Sequence, residues 1–267
     1  MTICNILSIA GSDPSGGAGI QADLKTFGAL GCYGMAVITA LTAQNTRGVS
    51  AVHIPPADFV AAQIDAIFAD IEVAAVKIGM LATGEIAWVV ADRLRHHRAQ
   101  NIVLDPVLVA TSGDSLGAPD VVAAMRAALF PLATLATPNL PEAARLAEAP
   151  LPDDLAGMIA CGQKMLAQGA RSVLVKGGHL KADAARDVLV QAGMTRVFEA
   201  PWLATRNTHG TGCTLSSAIA AGLGQGLDLA GAISAAKTYL GGALRHAASL
   251  NVGQGHGPVQ HFHRSGA

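Results

Sequence analysis

Of 267 residues, 51% are hydrophobic and only 14% charged, with a formal net charge of -1, which provides apolar material for one large core. Such a chain carries no basic surface for nucleic acid and no charged run of the kind found in interaction tails, so the expected partner is a small molecule. Four cysteines, Cys4, Cys32, Cys161 and Cys213, lack CxxC or zinc spacing, and MTICNILSIAGSD has neither the basic flank of a signal peptide nor the length of a membrane span; a reduced, cytoplasmic protein with no membrane attachment is expected.

In chain order, strands and helices alternate. Asn5 to Ala10 reads as a buried strand that breaks at GSDPSGGAG, after which Ile20, Leu24, Phe27 and Leu30 form a helical stripe. Met35 to Leu41 is a second apolar run that ends in the polar TAQNTRG, and Asp58 to Ala69 has helical periodicity. Val73 to Ile78 leads into GMLATGE and a helix through Arg95; Asn101 to Leu104 leads to DPVLVATSG, Thr134 to Ala136 to TPNLPE, and Ser172 to Val175 to KGGHL. Val188 to Val190 and Thr195 to Glu199 form a hairpin about Gly193, and a helical segment from Leu229 to Leu250 closes the fold. The tail from about residue 252 is expected to be loose. This alternation predicts one α/β domain over 1–267, with helices on both faces of a mostly parallel sheet and ligands at the carboxyl ends of its strands.

The stretch from Asn207 to Gly222, NTHGTGCTLSSAIAAG, is a glycine-rich loop running into a helix with Leu215, Ile219 and Leu223 four apart. Unpaired amides and the positive end of the macrodipole make such a helix start an anion site suited to a phosphoryl group. Cys213 falls in the first turn, where that field lowers a thiol's pKa and favours a thiolate base. Other matches carry less. GAGIQA resembles a dinucleotide fingerprint, but no Asp or Glu occurs from Leu24 to Ala57 to hold a ribose. GDSLG follows its strand too late for a nucleophile elbow, and no Lys follows a Gly, which excludes a Walker loop.

Asp105 and Glu142 stand at strand ends, where a hard cation could bridge them to phosphates, although Glu142 also suits a helix cap. Lys176, closing VLVK, brings a point charge to the same rim or else faces solvent. Asp23 and Gln44 belong above the first two strands, suited to a polar ring, with Asp23 alternatively facing water from its helix. His179, His209, His256, His261 and His263 show no ligand spacing and are expected at the surface.

Seven segments, ILSIAGSDPSGGAGIQADLKTF, TALTAQNT, VKIGML, DPVLVATSG, TPNLPEA, VLVKGGH and NTHGTGCTLSSAIAAGL, together resemble the hydroxymethylpyrimidine kinase / phosphomethylpyrimidine kinase family of thiamine biosynthesis, within the ribokinase-like superfamily. The resemblance implies a ribokinase-like three-layer sandwich. It also implies ATP-dependent phosphorylation of 4-amino-5-hydroxymethyl-2-methylpyrimidine to the monophosphate and then the diphosphate. Carried onto this chain, it makes Gly11, Asp23 and Gln44 ring contacts and Met80 and Val107 apolar walls. Asp105 and Glu142 become Mg²⁺-linked carboxylates, Lys176 and Thr208 ATP contacts, and Gly210, Thr211, Gly212 and Cys213 the anion hole and catalytic turn. A homodimer is compatible with this reading. A pyridoxal kinase of the same fold and a non-catalytic pyrimidine sensor are the alternatives; the second has no need of the intact GTGC, Asp105, Glu142 and Lys176.

Overall fold

The structure, a computed structural model, describes residues 3–108, 120–178 and 184–264; GDSLG at 113–117 and His179 lie outside them. The elements run β1 (Asn5–Ser12), α1 (Gly19–Ala29), β2 (Tyr33–Asn45), β3 (Gly48–His53), α2 (Ala57–Phe68), β4 (Ala75–Ile78), α3 (Gly84–His96), β5 (Ile102–Leu104) and α4 (Val121–Ala124). They continue through β6 (Leu135–Ala136), α5 (Leu140–Ala147), α6 (Leu155–Ala167), β7 (Ser172–Lys176), β8 (Ala184–Gln191), β9 (Met194–Pro201), α7 (Thr211–Gly224) and α8 (Leu229–Arg245). The strands form one sheet in the order β3-β2-β1-β4-β5-β6-β7-β8-β9. From β2 to β7 the neighbours are parallel, and β3, β8 and β9 add antiparallel margins.

The near-continuous apolar runs of the inner strands follow from burial on both faces. Ile6, Ala75, Val103, Leu135 and Leu174 pack with Phe27, Ile219 and Ile233 of α1, α7 and α8. Their neighbours Leu7, Val76, Leu104, Ala136 and Val175 pack with Ile64, Val90, Leu146 and Met158 of α2, α3, α5 and α6. Period-two alternation within each strand thus builds both interfaces of the three-layer sandwich that the sequence predicts.

The chain leaves β1 for β2 and β3, then returns to β4 on the other flank of β1. Such a reversal opens a crevice outside the carboxyl ends of the strands. Helix α7 reaches that crevice with its N-terminus, and its small residues let it pack closely: a side chain on Gly224 would run into Ile6 of β1, and one on Gly222 would crowd Ala232 of α8.

Three expectations change. β2 does not stop at Leu41 but continues to Asn45 and turns into β3, whose alternation is weak because it is an exposed margin. The closing helix ends at Arg245, followed by a 3-10 turn over Ala247–Ser249. The tail is packed rather than loose: His256 N donates to Thr46 O, His209 N to Gly257 O and Gln260 N to Ala243 O, while Tyr239 Oη donates to His261 O and Val259 is buried.

Candidate active site

A cavity of about 990 Å³ opens at the carboxyl edge of the sheet. At one end, Ala40, Met80 and Ala82 form a small apolar cluster with Val107 against it. A Cβ on Gly11 would come within 3.0 Å of the Met80 sulfur, so this glycine leaves the wall flat. Gln44 reaches the same end from β2, its Oε1 accepting from Thr42 Oγ1 at 3.1 Å. The predicted set Gly11, Gln44, Met80 and Val107 is therefore assembled around one compartment, apolar with a polar margin.

At the other end, Asp105, Glu142 and Lys176 meet. Lys176 Nζ lies 2.7 Å from Asp105 Oδ1, and Thr137 Oγ1 and Ser216 Oγ donate to the same carboxylate at 3.1 and 3.2 Å. Burial alone would raise the pKa of Asp105, but the Lys176 and Lys77 charges and these hydrogen bonds hold it below the usual carboxylate value. Glu142 goes the other way: burial, with Asp105 nearby, lifts it to about 7 against the pull of Lys176. Glu142 also closes a capping box, accepting from Asn139 N at 2.8 Å while Asn139 Oδ1 accepts from Glu142 N at 2.9 Å. Glu142 is thus a capping residue that also lines the cavity, because the first turn of α5 sits on the rim.

Between the two ends stands the N-terminus of α7. Gly210 caps it at φ 77°, no side chain caps it, and Thr208, Thr211, Gly212 and Cys213 line the cavity. A Cβ on Gly212 would lie 3.3 Å from Lys176 Nζ, so the turn sits against the cation. The amides of an uncapped first turn are what an anion requires.

Two sequence expectations are corrected here. Asp23 does not face the cavity or water. It is fully buried, with Ser8 Oγ at 2.6 Å, Ser217 Oγ at 2.7 Å and Lys77 Nζ at 2.9 Å from both oxygens, which leaves no open direction for a ring. The Cys213 thiol is not lowered by the helix field. Burial pushes it up to about 11; Lys77 opposes the rise, the Asp23 and Asp105 charges add to it, and the Gly19 N–H that donates to it lowers it. The surface expectation also fails for His209 and His261, which are buried, whereas His256 is exposed and His263 half-buried.

Sequence reasoning left Lys77, Asp13 and the Asp187–Lys237 pair without roles. Lys77 was visible as a charge inside the apolar strand run VAAVKIG, which demands a buried partner. Asp187 Oδ1 accepts from Gly177 N at 3.0 Å and Oδ2 from Lys237 Nζ at 2.5 Å, so the pair holds the glycine turn after Lys176 at the cavity rim. Nothing local in the sequence pairs residues fifty apart.

Residues 13–260 match the phosphomethylpyrimidine kinase family. The hydroxymethylpyrimidine/phosphomethylpyrimidine kinase of Rhizobium meliloti (strain 1021) is 55% identical over 258 residues, covering 97% of each chain. The chain belongs to the phosphomethylpyrimidine kinase family. Among solved structures, an ADP complex of Bacillus subtilis pyridoxal kinase is similar with a TM-score of 0.90 and 37% identity over 99% of each chain. The phosphomethylpyrimidine kinase of Clostridium difficile 630 gives 0.79 and 42%, over 89% of this chain and 98% of its own. These structures share the ribokinase-like architecture of the chain.

Proposed function

We propose that the chain transfers the γ-phosphoryl group of ATP to the hydroxymethyl group of 4-amino-5-hydroxymethyl-2-methylpyrimidine, and then phosphorylates the monophosphate in the same cavity. The observation that carries this reading is a continuous cavity with a flat apolar compartment at one end, a Lys176–Asp105 pair at the other and an uncapped helix start between them. Gly11, Gln44, Met80 and Val107 take the ring. Lys176 and Thr208 take ATP phosphates, and the Gly210–Cys213 turn stabilises charge on the moving phosphoryl group.

Asp105 and Glu142 suit Mg²⁺. The ion is commonly held by one or two carboxylates together with water and substrate phosphates, and among the described residues no group of three or more acidic, His or Cys side chains forms a cage. Burial, and after it the Asp105 charge, raise the Glu142 pKa against the pull of Lys176, and a cation bound there would favour the ionised carboxylate. When bound, the ion would neutralise charge on the ATP phosphates.

Cys213 is the proposed proton acceptor from the hydroxymethyl group. With burial holding the thiol at about 11, only a small thiolate fraction is present near neutral pH, so the role rests on its place in the first turn of α7 at the cavity; the monophosphate, already mostly ionised, needs a base less. Four free thiols support a reducing, cytoplasmic setting, and among the described residues no helix is long and apolar enough to cross a membrane.

The test is ATP turnover with the free pyrimidine, followed by mass analysis for products carrying one and two phosphoryl groups, with pyridoxal as the comparison acceptor. A chain that consumed ATP on pyridoxal and left the pyrimidine untouched would overturn the reading.

A further inference from the structure

Two loops from opposite ends of the chain meet over the cavity. The first, after β1, supplies Ser12, Asp13, Ala18 and Gly19 to the lining; the second supplies Thr208 to Cys213. Their backbones touch: a side chain on Gly17 would run into the His209 ring, and one on Gly210 would run into the Gly17 carbonyl. Glycine is therefore needed on both sides for the approach.

One buried side-chain pair fastens them. His209 Nε2 lies 2.8 Å from Asp13 Oδ2, with the two residues 5% and 2% exposed. Asp13 also organises its own loop, accepting from Ala18 N at 2.8 Å, Ser15 N at 2.9 Å and Ser15 Oγ at 2.7 Å. Burial raises its carboxyl, but the hydrogen bonds from His209 and Ser15 outweigh that and bring it down to about 2. An ionised carboxylate can only accept, so the proton of this bond resides on Nε2 of His209. The second loop is pinned from behind, where His209 N donates to Gly257 O at 3.0 Å. Beyond Asp13, the first loop ends at Gly19, whose N–H donates to the Cys213 thiol.

We propose that Asp13 and His209 are a positioning pair, which holds the acceptor-side loop in register with the phosphate-side helix start so that the acceptor oxygen and the transferring phosphoryl group are aligned. The pair acts through the loops and not as a catalytic residue. Its loss lowers kcat, since misplacement on the order of 1 Å can cost up to about 10²-fold in rate, and leaves the ATP site intact. This inference rests on the kinase reading, and the experiment starts from wild-type turnover, so failure of that reading would appear first as an inactive wild type.

The test measures kcat and both KM values in the full chain for His209→Leu, Asp13→Asn, their double variant and His209→Gln. The expected result is a loss on the order of tenfold or more in kcat for each of the first two, with the KM for ATP unchanged within about twofold. The double variant should lose less than the product of the two single losses, because each abolishes the charge-assisted Asp13–His209 bond. His209→Gln, which retains an N–H donor toward Asp13, should recover most of the rate. Losses that multiply, a glutamine variant as poor as the leucine variant, or an effect confined to the KM of the monophosphate would each overturn the proposal, the last by making His209 a direct phosphate contact. If His209→Leu fails to fold by circular dichroism, Asp13→Asn decides: a folded variant with unchanged kcat overturns it.

Discussion

Lys77 Nζ lies 2.9 Å from both oxygens of Asp23, and neither side chain exposes any surface. Burial opposes the charge on Lys77, yet the Asp23 carboxylate outweighs it and raises the Lys77 pKa. Removal of either partner strands the other charge in the interior. Lys77→Met is therefore expected to destabilise the protein by about 3 to 5 kcal/mol, read from urea unfolding. A cost below about 1 kcal/mol would mean that Asp23 takes up a proton and is satisfied by Ser8 and Ser217 alone.

Glu142 offers a pH test. Its folded pKa is raised to about 7 from 4.5, so the folded state binds its proton more tightly than the unfolded state. The resulting stabilisation is complete below about pH 4.5 and lost as pH rises through about 7. Glu142→Gln keeps an acceptor for Asn139 N and removes the charge. Without Mg²⁺ or ATP, the variant is expected to exceed wild-type stability at pH 8 by on the order of 1 to 3 kcal/mol, with the advantage gone at pH 4. The same variant should need more Mg²⁺ for turnover and bind the pyrimidine nearly as before. Equal pH profiles for the two proteins would contradict this account of Glu142.

Cys213→Ser preserves size and the backbone turn but replaces the thiol by a far weaker acid. The first phosphorylation should fall on the order of 10²-fold or more, the second by less. Because the wild-type thiol sits near pKa 11, the rate from the free pyrimidine should also climb steadily between pH 6 and 9 in the wild type and not in the serine variant. Equal losses in both steps would assign Cys213 to the shape of the anion site.

Gln44→Ala should weaken pyrimidine binding by roughly 1 to 3 kcal/mol through an unpaired polar edge of the ring, with ATP affinity unaffected. Isothermal calorimetry with each ligand separately tests it, and unchanged pyrimidine affinity would remove Gln44 from the site.

Much of this site was legible because glycine loops and strand ends are local signals. The break after β1, the turn before α7 and the positions of Asp105 and Lys176 follow from patterns a few residues long. What was misread depends on partners distant in sequence. The helix-start argument placed Cys213 correctly in the first turn of α7, but the thiol's proton affinity is set by burial and by Asp23, Asp105 and Lys77. Asp23 suited a ring by position, yet Ser8 and Ser217, the latter 194 residues away, claim its oxygens together with Lys77. The tail looked loose because its polar, glycine-rich composition carries no periodicity; backbone hydrogen bonds to Thr46 and Ala243 order it instead.

The close seating of α7 on the sheet has a mechanical consequence. Its fourteen residues span about 21 Å, with the turn that lines the cavity at one end and Gly224, pressed against Ile6 at the start of β1, at the other. A side chain at Gly224 would first meet the Cδ1 tip of Ile6, which can turn aside, and then the Cβ atoms of Ala75 and Ala74, so small bulk is taken up by Ile6 and larger bulk presses this end of the helix off the sheet. The spacing of helix and sheet at the edge opposite the cavity is thereby set by the absence of a side chain at Gly224.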